Sequence, residues 1–171
     1  MIRISFALAL IAALAQSGAA TAAEFYIGEP VVKNGMQIVP AYLLGIEMEG
    51  KHAHGTDVVH IEVDVHAAKD ETHGFAEDAW IPNLTIGYTL EKVGSRFKAS
   101  GKLIPMIAKD GPHYANNVKF DGPGEYKLTY RFQPPSSTGF LRHVDKATGV
   151  PEWWEPFSES WTFAFPSKEK S

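Results

Sequence analysis

Cysteine is absent from the 171 residues of this chain. That excludes thiol nucleophiles, iron–sulfur clusters, Cys-type zinc sites and Cys-ligated copper in one step. Basic residues are few as well: 16 Lys and Arg stand against 20 Asp and Glu, a net charge of -4 with the histidines neutral. They form no cluster that would track phosphates, so nucleic acid is not an expected partner. No G-x-S-x-G, Walker A, G-x-G-x-x-G or H-E-x-x-H pattern occurs. Helical periodicity with capping residues is nowhere sustained. Apolar runs are short: Phe6 to Ala15 falls below the roughly 18 residues of a membrane span. That run follows Arg3 and precedes the small residues Ala20-Thr21-Ala22-Ala23. The pattern reads as a signal peptide over residues 1–23, cleaved on export to the bacterial periplasm, with residues 24–171 as a single domain. A domain of that length buries a core without disulfide staples.

What the chain does contain is short alternating segments bounded by turn residues. In Val58-Val59-His60-Ile61-Glu62-Val63-Asp64-Val65-His66 the odd positions from 59 to 65 are apolar and the even positions from 60 to 66 are polar. Successive strand side chains point to opposite faces, so this segment has one greasy and one chelating face. Further strands are expected at Gln37 to Leu44, Asn83 to Lys92, Arg96 to Leu103, Gly124 to Gln133 and Glu159 to Phe165. Lys33-Asn34-Gly35, Gly94-Ser95, Asp110-Gly111-Pro112, Asp121-Gly122-Pro123-Gly124 and Pro134-Pro135-Ser136-Ser137 supply turns. With 15 glycines and 11 prolines, this predicts an all-β fold, an immunoglobulin-like antiparallel β-sandwich; spacing alone does not separate it from a small barrel. The tail Ser167 to Ser171 is expected to fray. Trp153-Trp154-Glu155-Pro156-Phe157 reads as aromatics closing a core or a subunit contact, in preference to a carbohydrate platform.

Seven histidines and four methionines remain as soft or borderline metal ligands. His60 and Glu62 share a strand face about 6.6 Å apart, near enough to converge on one ion, whereas His66 lies about 20 Å along and is out of reach. Taken alone, such a face is ordinarily a solvated outer surface. Met106 falls within Gly101 to Tyr114, where Pro105, Gly111 and Pro112 suggest an irregular loop that aims a side chain. His113 ends that stretch, and His143 sits in loop-like Phe140 to Asp145. His52-Ala53-His54 is read as solvated despite its chelating spacing, and His73 as an exposed loop residue. Imidazoles with a thioether suit copper, Cu(I) above all. A carboxylate beside them adds affinity for Cu(II) or iron, and zinc rarely recruits methionine.

Four segments carry a resemblance: His60-Ile61-Glu62-Val63-Asp64-Val65-His66-Ala67, Trp80-Ile81-Pro82-Asn83-Leu84-Thr85-Ile86-Gly87-Tyr88, Pro105 to Tyr114, and Gly149-Val150-Pro151-Glu152-Trp153-Trp154. They resemble the periplasmic iron-transport protein family, small exported copper-containing proteins of bacterial high-affinity iron uptake. The likeness runs from about Glu24 to Phe165, and M-x-x-x-D-G-P-H with the H-x-E strand is its specific part. The resemblance implies a homodimer with metal sites near the subunit interface. It implies copper held by His60, Met106, His113 and His143, with Glu62 as a nearby carboxylate. It also implies that Asp110 and Glu47 assist a second, harder cation, that iron is the transported ligand, and that an inner-membrane iron permease receives it. The expected function is a non-enzymatic, periplasmic, copper-dependent iron-binding protein that does not itself span the membrane. Two other readings stay open: a copper-dependent ferrous iron oxidase, ranked lower for want of a second dense histidine cluster, and a copper chaperone or resistance carrier.

Overall fold

Alternating sequence becomes alternating burial. A computed structural model describes residues 23–167; the expected leader lies outside the described residues save for Ala23, as does the tail beyond Ser167. Ten strands follow in order: β1 (Glu24–Tyr26), β2 (Val31–Lys33), β3 (Met36–Leu44), β4 (Val58–Ala67), β5 (Thr85–Lys92), β6 (Lys98–Lys102), β7 (Ile104–Ala108), β8 (Gly111–Lys119), β9 (Gly124–Gln133) and β10 (Phe157–Phe165). In β9 Tyr126, Leu128, Tyr130 and Phe132 are buried while Glu125, Lys127 and Arg131 face solvent. One face of that strand is core and the other is wet, the half-buried pattern of an antiparallel sheet.

Every pairing is antiparallel. One sheet has the order β1-β3-β4-β8-β7, with β2 on the same edge of β3 as β1; the other has the order β10-β9-β5-β6. The two pack as the expected sandwich. Ile38, Ile61, Val63 and Val65 of the first sheet share one core with Ile86, Leu128, Tyr130 and Phe163 of the second. Tyr42 meets Phe163 with ring centroids 5.9 Å apart, and the Tyr130 hydroxyl donates to the Glu62 carbonyl at 3.2 Å. At the break between β1 and β2, Gly28 holds a φ of +71°, and a Cβ there would sit 2.9 Å from the Trp161 ring. The indole answers by donating to the Glu29 carbonyl at 3.1 Å. A glycine is required at this position by both conformation and space.

Three expectations change. The stretch around Met106 is a β-hairpin, β7–β8, and not an irregular loop. Met106 lies opposite His113, and Lys109-Asp110 bridge Ala108 to Gly111. The prolines fit because β7 is an edge strand, and because the β8 ladder with β4 stops at Tyr114, before Pro112 is asked for a hydrogen bond. His73 is not exposed. Its ring stacks on Trp153 at 4.6 Å and 6°, with Nδ1 2.8 Å from Glu71 and Nε2 3.2 Å from the Glu152 carbonyl. Trp154, packed edge-on against Phe157, closes the core as expected of that aromatic cluster. Ser167, expected to fray, is fastened through its N–H to the Tyr42 hydroxyl at 2.7 Å.

Candidate metal centre

β4 departs from the wet-outside rule. Its odd positions enter the core as read from the alternation, but His60 and Glu62 on the opposite face are buried too, 3% and 8% exposed. The cover comes from the segment joining β3 to β4 and from the β7–β8 hairpin, which together enclose a cavity of about 460 Å³. His60, Glu62, Met106 and His113 all line it. Glu62 is opposite Ala115 in the β4–β8 ladder, and that small side chain leaves room between His113 and Asn117 on the same face of β8.

The donor atoms converge. One ligand atom from each of His60, Glu62 and His113 lies within 4.8 Å of the others. Glu62 Oε2 stands 3.5 Å from His60 Nε2 and 3.6 Å from His113 Nε2. Those gaps are too long for hydrogen bonds. They match the edges of a ligand tetrahedron, since bonds of about 2.1 Å place donors about 3.4 Å apart. Met106 adds a thioether from the strand beside His113. Two imidazoles, a carboxylate and a thioether therefore fit copper in either oxidation state.

Asn117 sets the orientation of His60. The Asn117 amide nitrogen donates to the carbonyls of Ile46 at 3.2 Å and Ala53 at 3.1 Å, which uses both of its hydrogens. Its oxygen, 2.8 Å from His60 Nδ1, is then an acceptor, so Nδ1 carries the proton. Nε2 is left with a bare lone pair facing Glu62, the ligand tautomer.

Beside this cavity lies a second of about 310 Å³, sharing Glu62, Asp110 and His113 with it and lined also by Glu24, Asp64 and His66. Burial pushes the Asp64 carboxyl above its ordinary range, and the Glu62 charge adds to this. Glu24 is raised by burial and then by the charges of Glu62, Asp64 and Asp110. The Tyr26 phenol is raised first by Glu24. The basin thus holds several carboxylates that repel one another, an arrangement that a hard cation relieves.

Within one chain, His143 is not brought to this centre. It lines a separate cavity with His73, Phe140 and Trp153, its side chain 75% exposed and its Nδ1 2.8 Å from Thr148 Oγ1. Glu47 and Asp110 line the main cavity. His66 faces only the acidic basin, as its distance along β4 predicts. The H-x-H pair divides: His54 is exposed, but His52, read as solvated, is half-buried in the cavity lining. Sequence reasoning passed over Asn117, Glu24 and Asp64 as site residues. Asp64 could have been found on the even face of β4, whereas Asn117 needs the β4–β8 register, in which it lies opposite His60.

The family described as Fe2+ transport protein matches residues 21–167. A UPF0423 protein of Brucella abortus is 44% identical over 164 residues, covering 92% of this chain and 90% of its own length. A copper-bound variant of FetP from uropathogenic Escherichia coli superposes with a TM-score of 0.81 at 42% identity, covering 85% of this chain and 99% of that one. The copper-reconstituted P19 protein of Campylobacter jejuni gives 0.79 at 39% identity, covering 86% and 99%. No helix among the described residues is long and apolar enough to cross a membrane.

Proposed function

The chain belongs to the Fe2+ transport protein family, and from that premise we propose that it is a periplasmic, copper-dependent iron-binding protein of bacterial iron uptake. The observation that carries this reading is the buried convergence of His60, Glu62 and His113 beside Met106. Copper bound there would supply a redox-capable, borderline-soft centre. His60 and His113 offer their Nε2 atoms, Met106 the soft donor, and Glu62 either completes that shell or turns toward a second ion. Glu24, Asp64 and Asp110 form the hard, oxygen-rich basin that suits iron, adjoining the copper site through Glu62.

His143 completes the copper shell from a second copy of the chain. Its exposure supports this, as do the apolar side chains left open beside it: Leu141 at 88% and Val144 at 76% exposed. Ile107, 78% exposed on the edge strand that carries Met106, presents a matching apolar edge. A homodimer that covers both would bury these residues. Residues 1–23 direct export and are removed, and an inner-membrane permease receives the iron.

Titration of the mature protein with copper and then with Fe(II), against the same titration without copper, tests the reading. Iron binding that needs prior copper supports it, and iron binding indifferent to copper contradicts it. A deletion strain that fails under iron limitation but tolerates copper excess separates the reading from a copper-resistance carrier. Oxygen uptake with ferrous substrate would mark an oxidase instead.

A further inference from the structure

The acidic basin holds a phenol that the carboxylate set leaves unused. Tyr26 lines that cavity of about 310 Å³ together with Glu24, Glu62, Asp64 and Asp110. It is 63% exposed, so an ion entering from solvent can reach it. The other tyrosines are spoken for. Tyr42, Tyr114, Tyr126 and Tyr130 are buried, each with its hydroxyl in a hydrogen bond to backbone. Tyr88 belongs to β5 in the second sheet, away from the basin.

The fold puts Tyr26 there through its neighbour. Phe25 stacks on Tyr42 at 4.9 Å and 15° and packs against the core. Alternation then turns Glu24 and Tyr26 to the outer face. In register, Tyr26 lies opposite Ala41, Ala41 opposite Glu62, and Glu62 opposite Ala115. These four form one row across β1, β3, β4 and β8, in which the phenol and the carboxylate are the only long side chains. Two strand spacings, roughly 9.5 Å, separate their backbones, with only the small Ala41 between them. Glu62 is 8% exposed, and among the described residues its carboxylate meets no cationic partner beyond the imidazoles at 3.5 and 3.6 Å. A buried anion in that position calls for a counter-charge.

We propose that Tyr26 is a ligand to iron in this basin, and that the basin takes the ion in its ferric state, with the phenolate oxygen bound beside the carboxylates. The inference rests on the reading of the basin as the iron site, to which it adds a residue and an oxidation state. A phenol keeps its proton up to a pH of about 10, so at neutral pH only a strongly polarising cation displaces it. A trivalent ion does so far more readily than a divalent one of the same metal. The phenolate is a hard anionic donor, as in the tyrosine-held haem iron of catalase. Copper next door favours nitrogen and sulfur, so the two metals sort between the cavities by donor type. On binding, the Fe–O bond forms as the phenol O–H bond breaks, the proton passes to solvent, and iron keeps its oxidation state.

The copper-loaded mature protein is titrated with Fe(III) as its nitrilotriacetate complex. In parallel it is titrated with Fe(II) under excess ascorbate, which holds both metals reduced. Iron retained after desalting is counted, and resonance Raman spectra are excited in any new visible band. Fe(III) is expected to be retained and to give a charge-transfer band carrying phenolate ring modes, and Fe(II) to give none. In Tyr26→Phe the band and its modes are expected to vanish, while unchanged copper uptake shows that the variant is folded. Fe(III) retained without phenolate modes, or modes that persist in Tyr26→Phe, overturns the role of Tyr26 and leaves the basin standing as the iron site. Fe(II) retained where Fe(III) is not overturns the ferric assignment. Retention of neither ion overturns the reading of the basin itself.

Discussion

At the residue scale, the proposed centre would depend on two side chains with different duties. Met106 would supply softness, so Met106→Leu is expected to weaken Cu(I) binding more than Cu(II) binding, measured by calorimetric titration in each redox state; equal losses would count against Met106 as a ligand. Asn117 supplies orientation. Asn117→Ala leaves His60 free to turn and to change tautomer, and should lower copper affinity by about 10- to 100-fold. Competition against a chelator measures it. His60 and Glu62 were legible as a pair because two residues of strand put them on one face. Asn117 was not, because its partner is 57 residues away and a cross-strand register is not written in a local pattern.

At the scale of elements, alternation identified β3, β4, β5, β6, β9 and β10 and missed β1, β2, β7 and β8. β9 and β10 read directly from their pattern, since each has one face in water and one in the core. β1 and β2, three residues each, are too short to show a period. The β7–β8 hairpin was hidden by Pro105 and Pro112, which argue against strands unless the edge position of β7 is known. That hairpin matters most for the site, because it sets Met106 against His113. The turn after His143 is a second device of this kind. Asp145 accepts the N–H groups of Ala147 and Thr148, and Val150 donates back to the His143 carbonyl. Gly149 closes that turn, where a Cβ would overlap the Asp145 carbonyl oxygen. Gly149→Ala is therefore expected to displace His143 and weaken copper binding while leaving the melting temperature of the metal-free protein nearly unchanged. Gly28→Ala should do the reverse. It forces a strained φ and a clash with Trp161, costs about 1–3 kcal/mol of stability, and lowers the melting temperature with copper affinity intact.

At the scale of the whole molecule, the sandwich hides phenols that must ionise when it unfolds in alkali. Burial pushes the Tyr114 hydroxyl from its ordinary 10.0 up to about 12, partly offset by the hydrogen bond from the Leu84 N–H. Tyr130 is raised in the same direction, again by burial first. Between pH 10 and about 12 the unfolded chain gives up the Tyr114 proton while the folded chain keeps it, so stability falls as pH rises through that window and is unaffected by this group below it. Thermal melts of the metal-free protein should show that decline. Tyr114→Phe should melt lower throughout, having left Leu84 and Ile81 unpaired, but with a shallower slope above pH 10. A slope as steep as that of the unsubstituted protein would assign the decline elsewhere.

The proposed dimer, with copper held in each copy, makes one demand that a single measurement meets. Crystals grown with copper, with anomalous data on both sides of the copper absorption edge, locate the ion and name its donors. The account predicts a copper peak within bonding distance of His60 Nε2, His113 Nε2 and the Met106 sulfur, with His143 of a second copy closing the shell. A peak confined to surface groups such as His54, with those four side chains apart in every symmetry-related pair, would contradict it.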